Sequence, residues 1–322
     1  MKEIFLNDDI NQINRVYAEI KHKEDKVFSK KQLLESGMTD VEVIYSTWGM
    51  PVLTSEEIEK CLPNLKEIYY AAGTVKFFAK PYLERGVRVF SAWKANAVPV
   101  AEYAVAQILL ANKGFYQMQK RTRENYNDAR AFSLKFCGNY NAKIGILGYG
   151  SISSLVVDAL KNSKVEILLY SSHMTEERAK ALGVKLAGLD EIFSTCDVIS
   201  NHMANNEKNV GILNKKLFSK MKDYSTFINT GRGAQVDENA LIEVMKDNPT
   251  LTAVLDVTFP EPPTKDSPLY SLDNIIVTPH IAGSSGNEVC RMAQYMLEEK
   301  ARVDKGETPL YEVDEKTLES MA

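Results

Sequence analysis

The stretch from Lys143 to Ser153, KIGILGYGSIS, constrains the fold more than any other. It reads as a strand covered on both faces that runs directly into a turn and a helix. Ile144, Ile146 and Leu147 supply the apolar run of a parallel strand. Gly148 and Gly150 then allow a sharp turn and a close approach of backbone to a ligand. The helix opening near Ser151 offers free N–H groups and a positive dipole end, which suit a pyrophosphate. The spacing is that of the dinucleotide fingerprint Gly-x-Gly-x-x-Gly, with Ser153 standing at the third glycine. Taken alone, two such glycines also suit a β-to-α turn that binds nothing.

At 322 residues the chain exceeds one ordinary core and suits two domains. A net charge of −4 argues against nucleic acid as a partner and leaves small soluble metabolites. Cys61, Cys137, Cys196 and Cys290 are scattered with no Cys-x-x-Cys pair, so neither a metal site nor a disulfide framework is expected, and a reduced, cytoplasmic setting is. The opening MKEIFLNDDINQ lacks the apolar core of a signal peptide. The longest apolar run, Tyr103 to Ala111, has about half the length needed to span a membrane, so no membrane partner is expected.

Strands and helical patterns alternate along the rest of the chain, the signature of doubly wound α/β sheets. Strands are expected at Ile4–Leu6, Val27–Phe28, Val41–Tyr45, Leu65–Ala72 and Val87–Phe90, with a charged, solvated run over Lys21–Lys31 and a helix from Ile58 to Leu65. Pro99 suits the first turn of a densely apolar helix. Beyond the central motif come strands at Val165–Tyr170, Asp197–Asn201, Phe227–Asn229, Leu251–Val257 and Ile275–Thr278.

Open α/β sheets bind ligands at the carboxyl ends of their strands, so the residues found there are the site candidates. Trp48 follows the third strand and either walls a substrate pocket or packs under its loop. Gly73 and Thr74 offer amides to a carboxylate, with Lys76 as a nearby cation or an ordinary surface lysine. After Val165–Tyr170 a carboxylate would bond the ribose 2′-hydroxyl of NAD and repel the 2′-phosphate of NADP; Ser171, Ser172 and His173 stand there instead, which admits either cofactor. Arg178, further on, is the nearest cation. His202 ends the next strand. Arg232 lies between two glycines, well placed to fork onto a carboxylate. Glu261 lies between prolines and His280 comes just after the last strand, in TPHIAG.

The blocks NAVPVAEYAVA from Asn96, ILGYGSIS from Ile146, INTGRGAQVDENAL from Ile228, LDVTFPEPP from Leu255 and TPHIAG from Thr278 together resemble the NAD(P)-dependent D-isomer-specific 2-hydroxy acid dehydrogenase family. The resemblance covers the chain from about Leu65 onward. It implies a Rossmann nucleotide-binding domain inserted into a flavodoxin-like substrate domain: residues 1–101 and 286–322 for the substrate domain, 102–285 for the nucleotide domain. It implies Arg232, Glu261 and His280 as the catalytic set, His280 being the acid/base, Glu261 its partner and Arg232 the carboxylate ligand. It implies cofactor contacts from Gly148, Tyr149, Gly150, Ser151, Ile152, Ser171, Ser172, His173, His202, Thr230, Gly231, Asp256 and Gly283, with Asp256 at the nicotinamide amide. Substrate contacts would come from Trp48, Gly73, Thr74, Lys76 and Arg232. The expected partners are a small 2-keto or 2-hydroxy acid, NAD or NADP, and a second copy of the chain in a homodimer. Similar folds oxidise formate, but that family pairs a glutamine with its histidine where this chain has Glu261. The family's nucleotide-sensing corepressors can keep the same three residues, so that reading stays open. Departures from the family pattern fall at Thr74–Phe78, at Ala204 after Met203, and at Ser153 and Ser171.

Overall fold

A computed structural model describes residues 2–22 and 25–321, so Lys23 and Glu24 of the charged run lie outside the described residues. The chain divides into two compact units, Met1–Asn96 with Ser284–Ala322, and Ala97–Gly283. The sequence reading puts the divisions at 101/102 and 285/286.

Unit 1 holds strands β1 (Lys2–Leu6), β2 (Val27–Phe28), β3 (Val41–Ser46), β4 (Glu67–Tyr70) and β5 (Arg88–Ser91). All pair in parallel, in the order β2-β1-β3-β4-β5, which is the flavodoxin-like arrangement. Side chains alternate between the faces of each strand. Ile4, Leu6, Ile44, Ile68, Tyr70 and Val89 therefore fill one apolar layer, and Val43, Tyr45, Tyr69 and Phe90 the other. In the second layer the strand register brings Phe5, Tyr45, Tyr69 and Phe90 side by side, with ring centroids 5.7, 5.6 and 4.7 Å apart. The chain leaves this unit after Asn96 and returns at Ser284, whose N–H donates to Asn96 Oδ1 at 2.9 Å.

Unit 2 holds β6 (Lys143–Leu147), β7 (Glu166–Tyr170), β8 (Lys185–Leu186), β9 (Val198–Asn201), β10 (Thr226–Asn229), β11 (Thr252–Leu255) and β12 (Ile275–Val277). They form one parallel sheet in the order β12-β11-β10-β9-β6-β7-β8, the doubly wound Rossmann order with a seventh strand. Its two faces are covered by separate apolar layers, one with Leu147, Ile199, Phe227 and Leu255, the other with Ile144, Ile146, Val198, Ile228 and Val254.

Three elements differ from expectation for local reasons. The two-residue β8 is too short to show a period in the sequence. The helix expected at Ile58–Leu65 runs from Ser55 to Cys61, because Thr54 and Glu57 form a reciprocal cap that sets its start. The apolar helix spans Trp93–Ala111, so Pro99 lies inside it and not in its first turn. Proline there forfeits one backbone bond, but Ala95 before it and Ala101, Ala104 and Ile108 after it are all buried, and that packing carries the helix through. Among the described residues no helix is long and apolar enough to cross a membrane.

Candidate active site

In unit 2 the strand order reverses between β6 and β9, where an open parallel sheet leaves a crevice at its carboxyl end. His202 N–H donates to Leu147 O at 2.8 Å and Gly148 N–H to Tyr170 O at 2.8 Å, which draws three strand ends together. Gly148 has φ +86°, and a Cβ on it would stand 2.8 Å from Met203 Cα and 2.9 Å from His202 O. Only glycine lets the turn lie against the end of β9. A Cβ on Gly150 would meet nothing within 4 Å. The helix Ser151–Leu160 has no side-chain cap, and the N–H groups of Tyr149, Gly150, Ser151, Ile152 and Ser153 donate to no acceptor among the described residues. A row of unsatisfied amides at a helix start, with open space beside Gly150, fits the pyrophosphate of a dinucleotide. Ser153 is fully buried at the third-glycine position, its hydroxyl without a partner among the described residues.

β7 ends at Tyr170 with no acidic residue behind it. Ser171 is half-buried and its Oγ accepts the His173 N–H at 3.3 Å, while Ser172 and His173 are exposed. The Arg178 guanidinium lies 5.6 Å from the centre of the Tyr149 ring, so a cation stands beside the side chain carried by the glycine turn.

At the ends of β9 and β10 a buried amide network takes over. Asn201 Nδ2 donates to Asn229 Oδ1 at 3.0 Å and to Gln235 Oε1 at 2.7 Å, and Gln235 Nε2 donates to the carbonyls of Met203 and Ala204. Gln235 Oε1 also accepts the Arg232 N–H at 3.2 Å, and Asn229 Oδ1 the Gly231 N–H at 3.0 Å. The loop bearing Arg232 is thereby held by side chains that sequence reasoning did not single out. His202 pairs through Nε2 with Ser200 Oγ at 2.9 Å and through Nδ1 with Thr230 Oγ1 at 3.1 Å. Burial pushes its imidazole down to about 4, so it stays neutral and braces β9 against β10. Burial likewise lowers the Arg232 guanidinium from its usual range, with the Glu261 charge opposing that shift. Arg232 Nη1 donates to Gly231 O at 2.7 Å. Next to it, a Cβ on Gly233 would fall 2.0 Å from the Thr258 carbonyl carbon, so this loop meets the start of the Phe-Pro-Glu-Pro-Pro segment backbone to backbone.

His280 Nδ1 lies 2.6 Å from Glu261 Oε1. Its backbone is left-handed, φ +54°, unusual for a residue other than glycine. The cause is Asp256, buried at the end of β11. Its Oδ1 accepts the Thr278 hydroxyl at 2.6 Å and the Ile281 N–H at 2.8 Å, its Oδ2 the Ala282 N–H at 2.9 Å, and its carbonyl the His280 N–H at 3.1 Å. Tyr103 completes the chain, its hydroxyl 3.0 Å from Thr278 Oγ1. The turn is thus wrapped around one carboxylate. With Nδ1 engaged by Glu261, Nε2 is the nitrogen without a partner among the described residues. A cationic imidazole with a carboxylate on one nitrogen and a free N–H on the other can give a proton to an oxygen, and its neutral form can take one back.

Of the residues expected from the sequence, Arg232, Glu261 and His280 all lie in unit 2, the last two in direct contact. Thr230 and Gly231 follow β10, and Gly283 is the last residue of the unit. Trp48, Gly73, Thr74 and Lys76 belong to unit 1. There the N–H groups of Gly73, Thr74 and Val75 donate to no acceptor among the described residues, and the Ser91 hydroxyl fixes the loop by donating to the carbonyls of Ala72 and Gly73. Lys76 is exposed, its N–H bonded to Thr74 Oγ1 at 3.4 Å. Trp48 packs against both apolar layers of the unit, with the Arg15 guanidinium 5.8 Å over its ring. Sequence reasoning missed Tyr103, Asn201, Asn229, Gln235 and Thr278. Asn201 and Asn229 carried the one readable signal, a polar residue ending an apolar strand.

Residues 105–282 match the family model of the D-isomer specific 2-hydroxyacid dehydrogenase, NAD binding domain. The cofactor for which the Gly148 turn is shaped is accordingly NAD or NADP. The chain is 32% identical over 252 residues to D-3-phosphoglycerate dehydrogenase of Archaeoglobus fulgidus, covering 78% of this chain and 47% of that protein. It is 28% identical over 290 residues to glyoxylate reductase of Korarchaeum cryptofilum, covering 89% and 86%. The chain thus spans about half the length of the first of these relatives. Apo D-mandelate dehydrogenase of Rhodotorula graminis shares the fold with a TM-score of 0.79 at 20% identity over 97% of each chain.

Proposed function

The chain belongs to the D-isomer specific 2-hydroxyacid dehydrogenase family, and on that premise we propose that it reduces a 2-keto acid to the D-2-hydroxy acid with a nicotinamide cofactor. The observation that carries this reading is the 2.6 Å pair of His280 Nδ1 and Glu261 Oε1, with Arg232 close enough to feel the Glu261 charge. When bound, the reduced cofactor supplies hydride to C2 of the substrate. Arg232 holds the substrate carboxylate and polarises the carbonyl beside it, an interaction that partial burial of the guanidinium strengthens. His280 Nε2 gives its proton to the carbonyl oxygen while Glu261 stabilises the cationic ring at Nδ1. In the oxidative direction neutral Nε2 takes that proton from the hydroxyl. Gly73, Thr74 and Val75 supply amides for a carboxylate in the substrate domain.

The test is absorbance of NADH and NADPH with the purified protein against glyoxylate, pyruvate, hydroxypyruvate, phenylpyruvate and branched 2-keto acids. Oxidation of either cofactor by any of them is expected. Binding of both cofactors with no turnover would replace the reductase by a nucleotide-sensing protein. Because no acid follows Tyr170 and Arg178 lies against the Tyr149 ring, NADPH should be accepted. Ser171→Asp should then cut NADPH use relative to NADH by about tenfold, through repulsion of the 2′-phosphate; an unchanged ratio would show that this position does not read the ribose.

A further inference from the structure

We infer that Glu238 is a positioning residue for the acid–base pair, its carboxylate anchoring the segment that carries Glu261; the inference rests on the catalytic reading given above. Phe259-Pro260-Glu261-Pro262-Pro263 contains three prolines, which lack an N–H, so only Phe259 and Glu261 can donate from its backbone. Phe259, Pro260, Glu261 and Pro262 are all exposed, so apolar burial does little to hold them. The Glu261 N–H donates to nothing among the described residues. The Phe259 N–H donates to Glu238 Oε2 at 3.2 Å. A further bond, from the Thr258 hydroxyl to Pro260 O at 2.9 Å, shapes the segment from within without tying it to the body.

Glu238 is suited to the task by where it stands. It opens the helix Glu238–Asp247, whose start is capped by Asp237 and whose inner face buries Ala240, Leu241, Val244 and Met245. The anchor is therefore on a rigid element. Glu238 is half-buried and makes no ion pair among the described residues. Burial raises its carboxyl above the usual range and the Phe259 N–H works against that rise, so the hydrogen bond is its main polar contact. The same stretch of chain touches the segment a second time, through Gly233 against Thr258. Freed from Glu238, the segment would let Glu261 drift from His280 Nδ1, and the cationic imidazole would lose its counter-charge.

Glu238→Gln and Glu238→Met give two side chains of nearly the same shape, one with an oxygen able to accept the Phe259 N–H and one without. E238M should lower kcat about tenfold, since small misplacements of catalytic groups are costly. The keto-acid KM and the nucleotide Kd should stay within about twofold, because Arg232 and the Gly148 turn are untouched. E238Q should restore activity to within about threefold of the parent. In a Glu261→Gln background E238M should add nothing further. An equal loss in both backgrounds, or E238Q as impaired as E238M, would overturn the inference; E238A repeats the cycle if E238M does not fold. Should E261Q itself turn over normally, the acid–base reading fails. Should E261Q be slow and E238M normal, only the anchoring role fails.

Discussion

Both units are parallel sheets whose strand order reverses once, between β1 and β3 in unit 1 and between β6 and β9 in unit 2. Each reversal opens a crevice at the carboxyl ends of the strands. In unit 1 the protein fills it. Asn7, the first residue past β1, is 2% exposed; its Nδ2 donates to Ser46 Oγ at 3.4 Å and to the carbonyls of Thr47 and Trp48 at 3.2 and 3.0 Å, and its Oδ1 accepts the Asp9 N–H at 2.7 Å. In unit 2 the matching residue is Gly148, which has no side chain, and the amides beyond it meet no acceptor among the described residues. Topology makes the crevice; in unit 1 the side chain after the first strand fills it, whereas in unit 2 the glycine lets the turn pack on the end of β9 and the amides beyond it stay available.

The largest expected effect is chemical: His280→Ala should cost about 100- to 10,000-fold in turnover by removing proton transfer, and near-parental rates would end the claim that the strand ends of unit 2 carry the chemistry. Gly148→Ala comes next. A left-handed alanine pressed against Met203 should weaken nucleotide binding by about 10- to 100-fold in a fluorescence titration. Unchanged affinity would mean that the close packing of this turn on the end of β9 is not what shapes the nucleotide site.

In unit 1, Asn7→Ala should cost about 2 to 3 kcal/mol in urea unfolding, because buried polar partners lose their mate, and should leave nucleotide affinity alone. A loss of nucleotide binding with intact stability would reverse the roles assigned to the two crevices. The smallest expected effect separates them by pH. His202 braces the crevice of unit 2 with an imidazole pushed down to about 4, whereas Asn7 does not titrate. Unfolded histidine has a pKa of about 6.5, so between there and pH 4 the unfolded chain binds a proton that the folded one refuses. Stability from this group is complete above about pH 6.5 and falls with acid, by no more than about 3 kcal/mol. Urea midpoints at pH 7 and pH 5 for the parent and for His202→Asn should show a shallower pH slope in the variant; equal slopes would mean that His202 is not held neutral.

Much of this was legible in one dimension, because it is written in short-range patterns. Apolar runs punctuated by turn residues marked nearly every strand, and the KIGILGYGSIS stretch marked the dinucleotide turn through conformational demands that neighbouring residues alone impose. Arg232, Glu261 and His280 stood out because each follows a strand and is ill-suited to a core. What the tertiary structure alone decided are the pairings of residues far apart in the chain. Asn7 reaches Trp48, Asn201 reaches Asn229 and Gln235, Glu238 reaches Phe259, and Tyr103 reaches Thr278 across 175 positions. The sheet register chooses those partners by bringing strand ends to one edge. Asp256 shows the same division: its place after β11 is a matter of sequence, but the turn of His280 closes around its carboxylate only once β12 has paired with β11, since a side chain's hydrogen-bonding partner is set by which strand lies beside it.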